Sequence, residues 1–176
     1  CAAMIGAVLG MPVAKLSATT NQNDTVPRFL QNKEWAPNAT IESLSNAMDV
    51  SKPNNWPRVQ HMLDNAWFSY DDFYSSCVDE EATKEVMKKI HQTGYVAEPH
   101  TAIAYQGLKE NIAPGSSGIF LATAHPAKFK ESVEEILEIE LPMPKPLADA
   151  LAKQCLAEDI VCDYQLLRTE LLKKLA

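Results

Sequence analysis

Residues 15–30 read KLSATTNQNDTVPRFL, and the way this stretch folds decides the fold class. Residues 15–20 are rich in β-branched and small residues, the composition of a strand. The polar run 21–24 (NQND) is a turn at that strand's carboxyl end. From Thr25 to about Asn32, Val26, Phe29 and Leu30 recur at helical spacing. Upstream, residues 1–10 are small and apolar, end at Gly10 and are followed by Pro12, which reads as a buried helix. Helix, strand, turn and helix in succession predict an α/β chain with helices flanking a short, mostly parallel sheet.

Outward from that unit the alternation continues. Residues 34–57 form a long loop system holding Trp35, Pro37, Pro53, Asn54, Asn55 and Trp56. Its two tryptophans, with Met48, argue against disorder. Helical spacing resumes over 57–68 through Val59, Met62, Leu63, Ala66 and Trp67. Asp79 caps a helix over 80–93, with acids early, lysines late and Gly94 after it. Tyr95, Val96 and Ala97 are strand-like, and Pro99 opens a helix to about Glu110. A second strand is expected over 118–123, and Pro126 opens a helix over 126–138. The three prolines of LPMPKP (141–146) make a stiff connector. Helices over 147–155 and 163–175 follow, the second capped by Asp163. Two regions are therefore expected, 1–140 and 141–176. Three or four strands are few for a doubly wound sheet.

Composition narrows the function. The chain has 176 residues, 46% hydrophobic and 22% charged, with a net charge of −7. A nucleic-acid partner would want a basic patch, and none is visible. No apolar stretch approaches the roughly 20 residues of a membrane span. The apolar residues 1–14 have no basic region before them and do not read as a signal peptide. A cytoplasmic protein with reduced thiols is expected. Cys1, Cys77, Cys155 and Cys162 show no metal spacing, and the histidines no His-x3-His pairing, so no metal site is expected. The six glycines make no phosphate loop, and there is no G-x-S-x-G elbow.

Four polar clusters remain. The first is Thr19, Thr20, Asn21, Asn23 and Asp24, where open α/β sheets hold ligands; the alternative is an Asx-rich turn that caps the next helix. The second runs from Ser45 to Asp49 and on through Asn54 and Asn55 to Arg58. It suits an anionic ligand through the guanidinium, or is a loop tied down by its own amides. The third, Glu98–Pro99–His100–Thr101, stands at a helix start and is either an anion site or plain capping. The fourth is Thr123, His125 and Lys128, at a strand-to-helix transition.

The stretches GMPVAKLSATTNQNDTVPRFL (10–30), TIESLSNAMDVSKPNNWPR (40–58), GYVAEPHTAIAY (94–105) and GIFLATAHPAKFKESV (118–133) resemble, in this order, threonine synthases of the bacterial and fungal type. That family often has Asp where this chain has Glu98. The resemblance implies a pyridoxal-phosphate lyase of fold type II, the tryptophan-synthase-β-like three-layer domain. It implies conversion of O-phospho-L-homoserine and water to threonine and phosphate. In the family a lysine holds the cofactor covalently and a Ser-Gly-Asn-Phe-Gly type loop cradles its phosphate. Both precede the part matching Cys1, so the resemblance implies a carboxyl-terminal portion, inactive and not binding the cofactor by itself, that partners the amino-terminal part of the same enzyme. It places Thr123 against the cofactor's pyridine nitrogen, with no catalytic lysine here. Asn21, Asn23 and Arg58 become candidates for the substrate's phosphate or carboxylate side, and Ser45 and Asp49 for shaping that loop. His125 would brace its turn. The alternative is a catalytically inactive binding or interaction module on the same scaffold.

Overall fold

The computed structural model describes residues 1–46, 49–157 and 159–175. Met48, which supported order in the 34–57 loops, and its neighbour Ala47 lie outside the described residues. The chain divides into two units, Cys1–Pro142 and Met143–Ala176.

The first unit is built on a parallel pair of strands, β1 (Leu16–Thr20) and β2 (Phe73–Cys77). Leu16 stands opposite Phe73 and Thr20 opposite Cys77, and the Val78 amide donates to the Thr20 carbonyl at 2.9 Å. Between them lie α2 (Thr25–Asn32) and α3 (Trp56–Asp64). Before β1 comes α1 (Ala2–Val8); after β2 come α4 (Glu80–His91), α5 (Pro99–Asn111), a 3-10 turn (Pro126–Phe129) and α6 (Lys130–Leu137).

Strand alternation gives the sheet two different faces. Leu16, Ala18 and Phe73 pack on a core of Met4, Val26, Phe29, Trp56, Val59, Met62, Leu63 and Phe68. Within it the rings of Trp35 and Trp56 stack at 5.0 Å, and Phe29 meets both edge-on. The two tryptophans that argued against disorder thus anchor the described parts of the polar 34–57 stretch on α2. The opposite face carries Ser17, Thr19 and Ser76 and receives α5. The helix comes so close that a Cβ at Gly107 would lie 1.7 Å from Thr19 Oγ1, so only glycine fits. The Asn111 amide reaches Ser17 Oγ at 3.3 Å. Behind α5, Val86, Met87 and Ile90 of α4 and Val133 and Ile136 of α6 are buried. The result is the expected three layers: helix, sheet, helix.

Four expectations change. β2 was not expected; its FYSSC sequence has neither clear alternation nor a β-branched residue. The 95–97 stretch forms no strand and instead leads, with Ala97 buried, into the cap of α5. The segment 118–123 is irregular and exposed, with Ile119 89% and Leu121 65% accessible. A strand needs a neighbour to take up its backbone hydrogen bonds, and among the described residues this segment has none. The described sheet therefore has two strands rather than three or four. The helix expected over 126–138 starts as a 3-10 turn and is α-helical only from Lys130, because Phe129 leaves the helical region (φ −120°, ψ 36°).

The second unit holds α7 (Lys145–Leu151) and α8 (Tyr164–Leu175), with Asp163 Oδ1 accepting from the Leu166 amide as expected of a cap. The first of these was expected over 147–155; it begins at Lys145, with Pro146 in its first turn, and ends four residues sooner. Among the described residues no helix is long and apolar enough to cross a membrane.

Candidate functional site

The turn after β1 is where the sequence placed its first cluster. The Asn23 amide donates to Asn21 Oδ1 at 3.0 Å, an Asx turn. This turns both asparagine side chains toward the 40–51 loop. Asn21 Nδ2 meets Ser43 Oγ (2.9 Å), Ser45 Oγ (2.8 Å) and Asp49 Oδ1 (2.9 Å). Asn23 takes the Ile41 backbone on both sides, donating to its carbonyl and accepting from its amide, each at 2.9 Å. Ser51 Oγ donates to Asn23 Oδ1 at 2.9 Å. Asp49 accepts from Ser43 twice, Oγ at 2.6 Å and the amide at 2.8 Å.

Asn21, Asn23, Ser45 and Asp49 thus come together in one hydrogen-bonded frame at the carboxyl end of β1. Asn23 and Ser45 are buried. Counting donors shows how full the frame is. Asn21 Nδ2 has two hydrogens for three acceptors, and Asn23 Oδ1 has two lone pairs for two donors. Ser43 and Ser51 complete the frame, and sequence reading passed them over: a lone serine in a loop carries no signal until its partner is known. Of the two readings of the first cluster, the Asx turn is present, at the strand end where open α/β sheets hold ligands. Asp24 does not cap α2 with its side chain; its carboxylate pairs with Arg28 Nε at 2.8 Å.

Arg58 stands apart from the frame. It lies exposed on the first turn of α3, and its guanidinium donates to Asn55 Oδ1 at 3.0 Å. Thr123 is exposed, and its hydroxyl has no hydrogen-bond partner among the described residues. His125 accepts from the Ala127 amide through Nδ1 at 3.1 Å and caps the 3-10 turn, the bracing role expected of it.

The third cluster resolves in favour of capping. Glu98 is fully buried, 0% accessible, and accepts four hydrogen bonds. Oε1 takes the Thr101 amide (2.7 Å) and hydroxyl (2.6 Å); Oε2 takes the His100 amide (2.9 Å) and Nδ1 (2.8 Å). Burial pushes this carboxyl up, but the bonds from His100 and Thr101 outweigh it and hold it below the usual carboxylate range. A buried anion already occupies this helix start, so a second anion is not wanted there.

Gly107 beside Thr19 and Asn111 beside Ser17 make α5 antiparallel to β1. At 1.5 Å per residue, the first turn of α5 lies about 7 Å beyond Thr20. His100 is therefore at the same end of the sheet as the asparagine frame. Its ring rests on Phe129, centroids 5.2 Å apart, at the end of the turn that follows Thr123.

Comparison with known proteins follows the same residues. Residues 101–169 match the family model described as threonine synthase, C-terminal. The threonine synthase of Escherichia coli strain K12 is 46% identical over 167 residues, which is 95% of this chain and 39% of that protein. The crystal structure of the Escherichia coli threonine synthase superposes with a TM-score of 0.87 over 94% of this chain and 39% of that one. The pyridoxal-phosphate-bound threonine synthase of Brucella melitensis, 23% identical, shares the fold with a TM-score of 0.71 over 82% of this chain and 37% of that one. The chain spans about two fifths of the length of the relatives it matches.

Proposed function

We propose that this chain, which is related in sequence and fold to the threonine synthases, supplies the carboxyl-terminal side of such an enzyme's active site. Residues 1–140 would belong to the lyase domain and 141–176 to a helical extension. The reaction is conversion of O-phospho-L-homoserine and water to L-threonine and phosphate, in the cytoplasm.

The observation that carries this reading is the 118–123 segment. Its sequence is that of a strand, yet Ile119 and Leu121 are largely exposed beside an unpartnered Thr123 hydroxyl. A strand bordered by further chain would bury the apolar pair and place the hydroxyl at a sheet end. The donor set fits the cofactor there. A pyridine nitrogen wants a neutral hydroxyl or a carboxylate, and Thr123 offers the first. Pyridoxal phosphate, when bound, supplies the electron sink. Thr123 orients its ring without forcing a proton onto the nitrogen, as an aspartate would. No glycine-rich phosphate cradle occurs in the sequence, so the cofactor's other end needs residues from elsewhere.

The asparagine frame would serve the substrate side. Asn21, Asn23, Ser45 and Asp49 tie residues 41–45 and 49–51 to the carboxyl end of β1, and Arg58 offers the guanidinium for phosphate or carboxylate. The saturation of this frame also favours the second reading, a binding module without catalysis. The two separate in one experiment. Pyridoxal phosphate is titrated into the gene product that carries this chain, and the bound-cofactor absorbance is followed in Thr123→Val and Thr123→Ser. The enzyme reading expects a band in the unmutated protein, kept in Thr123→Ser and shifted in Thr123→Val. Absence of any band supports the module.

A further inference from the structure

Glu98 is a fully buried carboxylate with no lysine or arginine paired to it among the described residues, and neither capping nor the proposed chemistry requires it to touch a histidine. An ionised carboxylate only accepts, so its 2.8 Å contact fixes the proton of a neutral His100 on Nδ1. His125, which accepts the Ala127 amide with Nδ1, carries its proton on Nε2. The two imidazoles therefore have opposite polarity, His100 seated on Phe129 and His125 at the start of the turn that Phe129 ends. His100 leaves Nε2 as an acceptor, and its side chain is 29% accessible. The ring lies beyond the carboxyl end of β1, the end of the sheet that holds the asparagine frame.

We infer that Glu98 is a positioning residue: it holds the Nδ1–H of His100, so that the ring presents Nε2 as a hydrogen-bond acceptor at the substrate end of the sheet and stays seated on Phe129. This rests on the reading that the chain forms one side of a threonine synthase active site. An acceptor there suits a water, hydroxyl or ammonium of the substrate and not its phosphate. The bonds from His100 and Thr101 hold the Glu98 carboxyl below the usual carboxylate range, so it stays ionised and keeps accepting the His100 Nδ1–H.

Glu98→Gln is the sharpest test. One carbonyl oxygen can still serve Thr101, but the new amide faces the His100 backbone N–H and Nδ1–H, donor against donor. The imidazole must move its proton to Nε2 or swing away. Glu98→Asp keeps the charge. Histidine ring nitrogens are read by two-bond proton–nitrogen NMR in the gene product that carries this chain, labelled at histidine. The expected result is Nδ1–H at His100 in the unmutated protein and in Glu98→Asp, and its loss in Glu98→Gln. With pyridoxal phosphate and O-phospho-L-homoserine, Glu98→Gln should lose about tenfold in kcat with KM changed less, as when a group orienting a functional histidine is removed, and Glu98→Asp should recover most of it. Nε2–H at His100 in the unmutated protein overturns the inference. So does an unchanged kcat in Glu98→Gln once its tautomer has changed. If the protein binds no pyridoxal phosphate, the enzyme reading falls, and the tautomer result still decides what Glu98 does.

Discussion

Glu98 and Asn23 show what single side chains contribute here. Removing the Glu98 carboxylate with Glu98→Ala leaves two backbone amides, a hydroxyl and an imidazole N–H without an acceptor at a buried helix start. The expected cost is about 2 kcal/mol or more, read as a lower urea midpoint. Because the folded carboxyl sits below its unfolded value, its contribution is present above the ordinary glutamate range and is lost as pH falls through the folded value. Urea midpoints measured on acidification should therefore drop more in the unmutated protein than in Glu98→Gln. Asn23→Ala removes both sides of the Ile41 clamp and the Ser51 partner. It should cost about 1–3 kcal/mol and open residues 40–51 to proteolysis before the rest of the unit. The sequence made Asn21 and Asn23 candidates because small amides after a strand are visible as types. It did not reveal that their partners would be Ser43 and Ser51, since those contacts form only once the loop folds back. Nor did it reveal the depth of Glu98: burial of a carboxylate depends on what packs over it, here from other elements.

Among the elements, α5 against β1 is the contact with least tolerance. Gly107→Ala would drive a methyl into Thr19, and overpacking of this kind costs about 1–3 kcal/mol. A fall in melting temperature would show it; an unchanged one would mean that α5 can slide on the sheet. The helices were legible because they announce themselves locally: Asp79 does cap α4, accepting the Ala82 amide at 2.8 Å, and α2 buries Val26 and Phe29. The strands were legible only where composition was distinctive. β1 was read from its threonines, whereas the serines of β2 hid a strand whose stability comes from pairing with β1. The 118–123 segment failed in the opposite direction. Its residues favour a strand, and the neighbour that a strand requires is not among the described residues.

At the scale of the whole molecule, the chain spans 39% of the Escherichia coli threonine synthase it matches and carries a polar frame at the carboxyl end of β1 and an exposed hydroxyl at Thr123. Fold class was readable from residues 15–30 because strand, turn and helix lie in sequence order. The site was readable only in part, because Arg58, Thr123 and the asparagine frame make no contacts with one another that would define a pocket. The measurement that bears most directly on the central claim is the product ratio from O-phospho-L-homoserine and pyridoxal phosphate with the gene product that carries this chain. The account predicts threonine and phosphate released one for one, slowed about tenfold by Thr123→Val, the worth of one hydrogen bond realised during reaction. Release of neither product from a folded protein that has bound pyridoxal phosphate, or turnover indifferent to Thr123→Val, would contradict it.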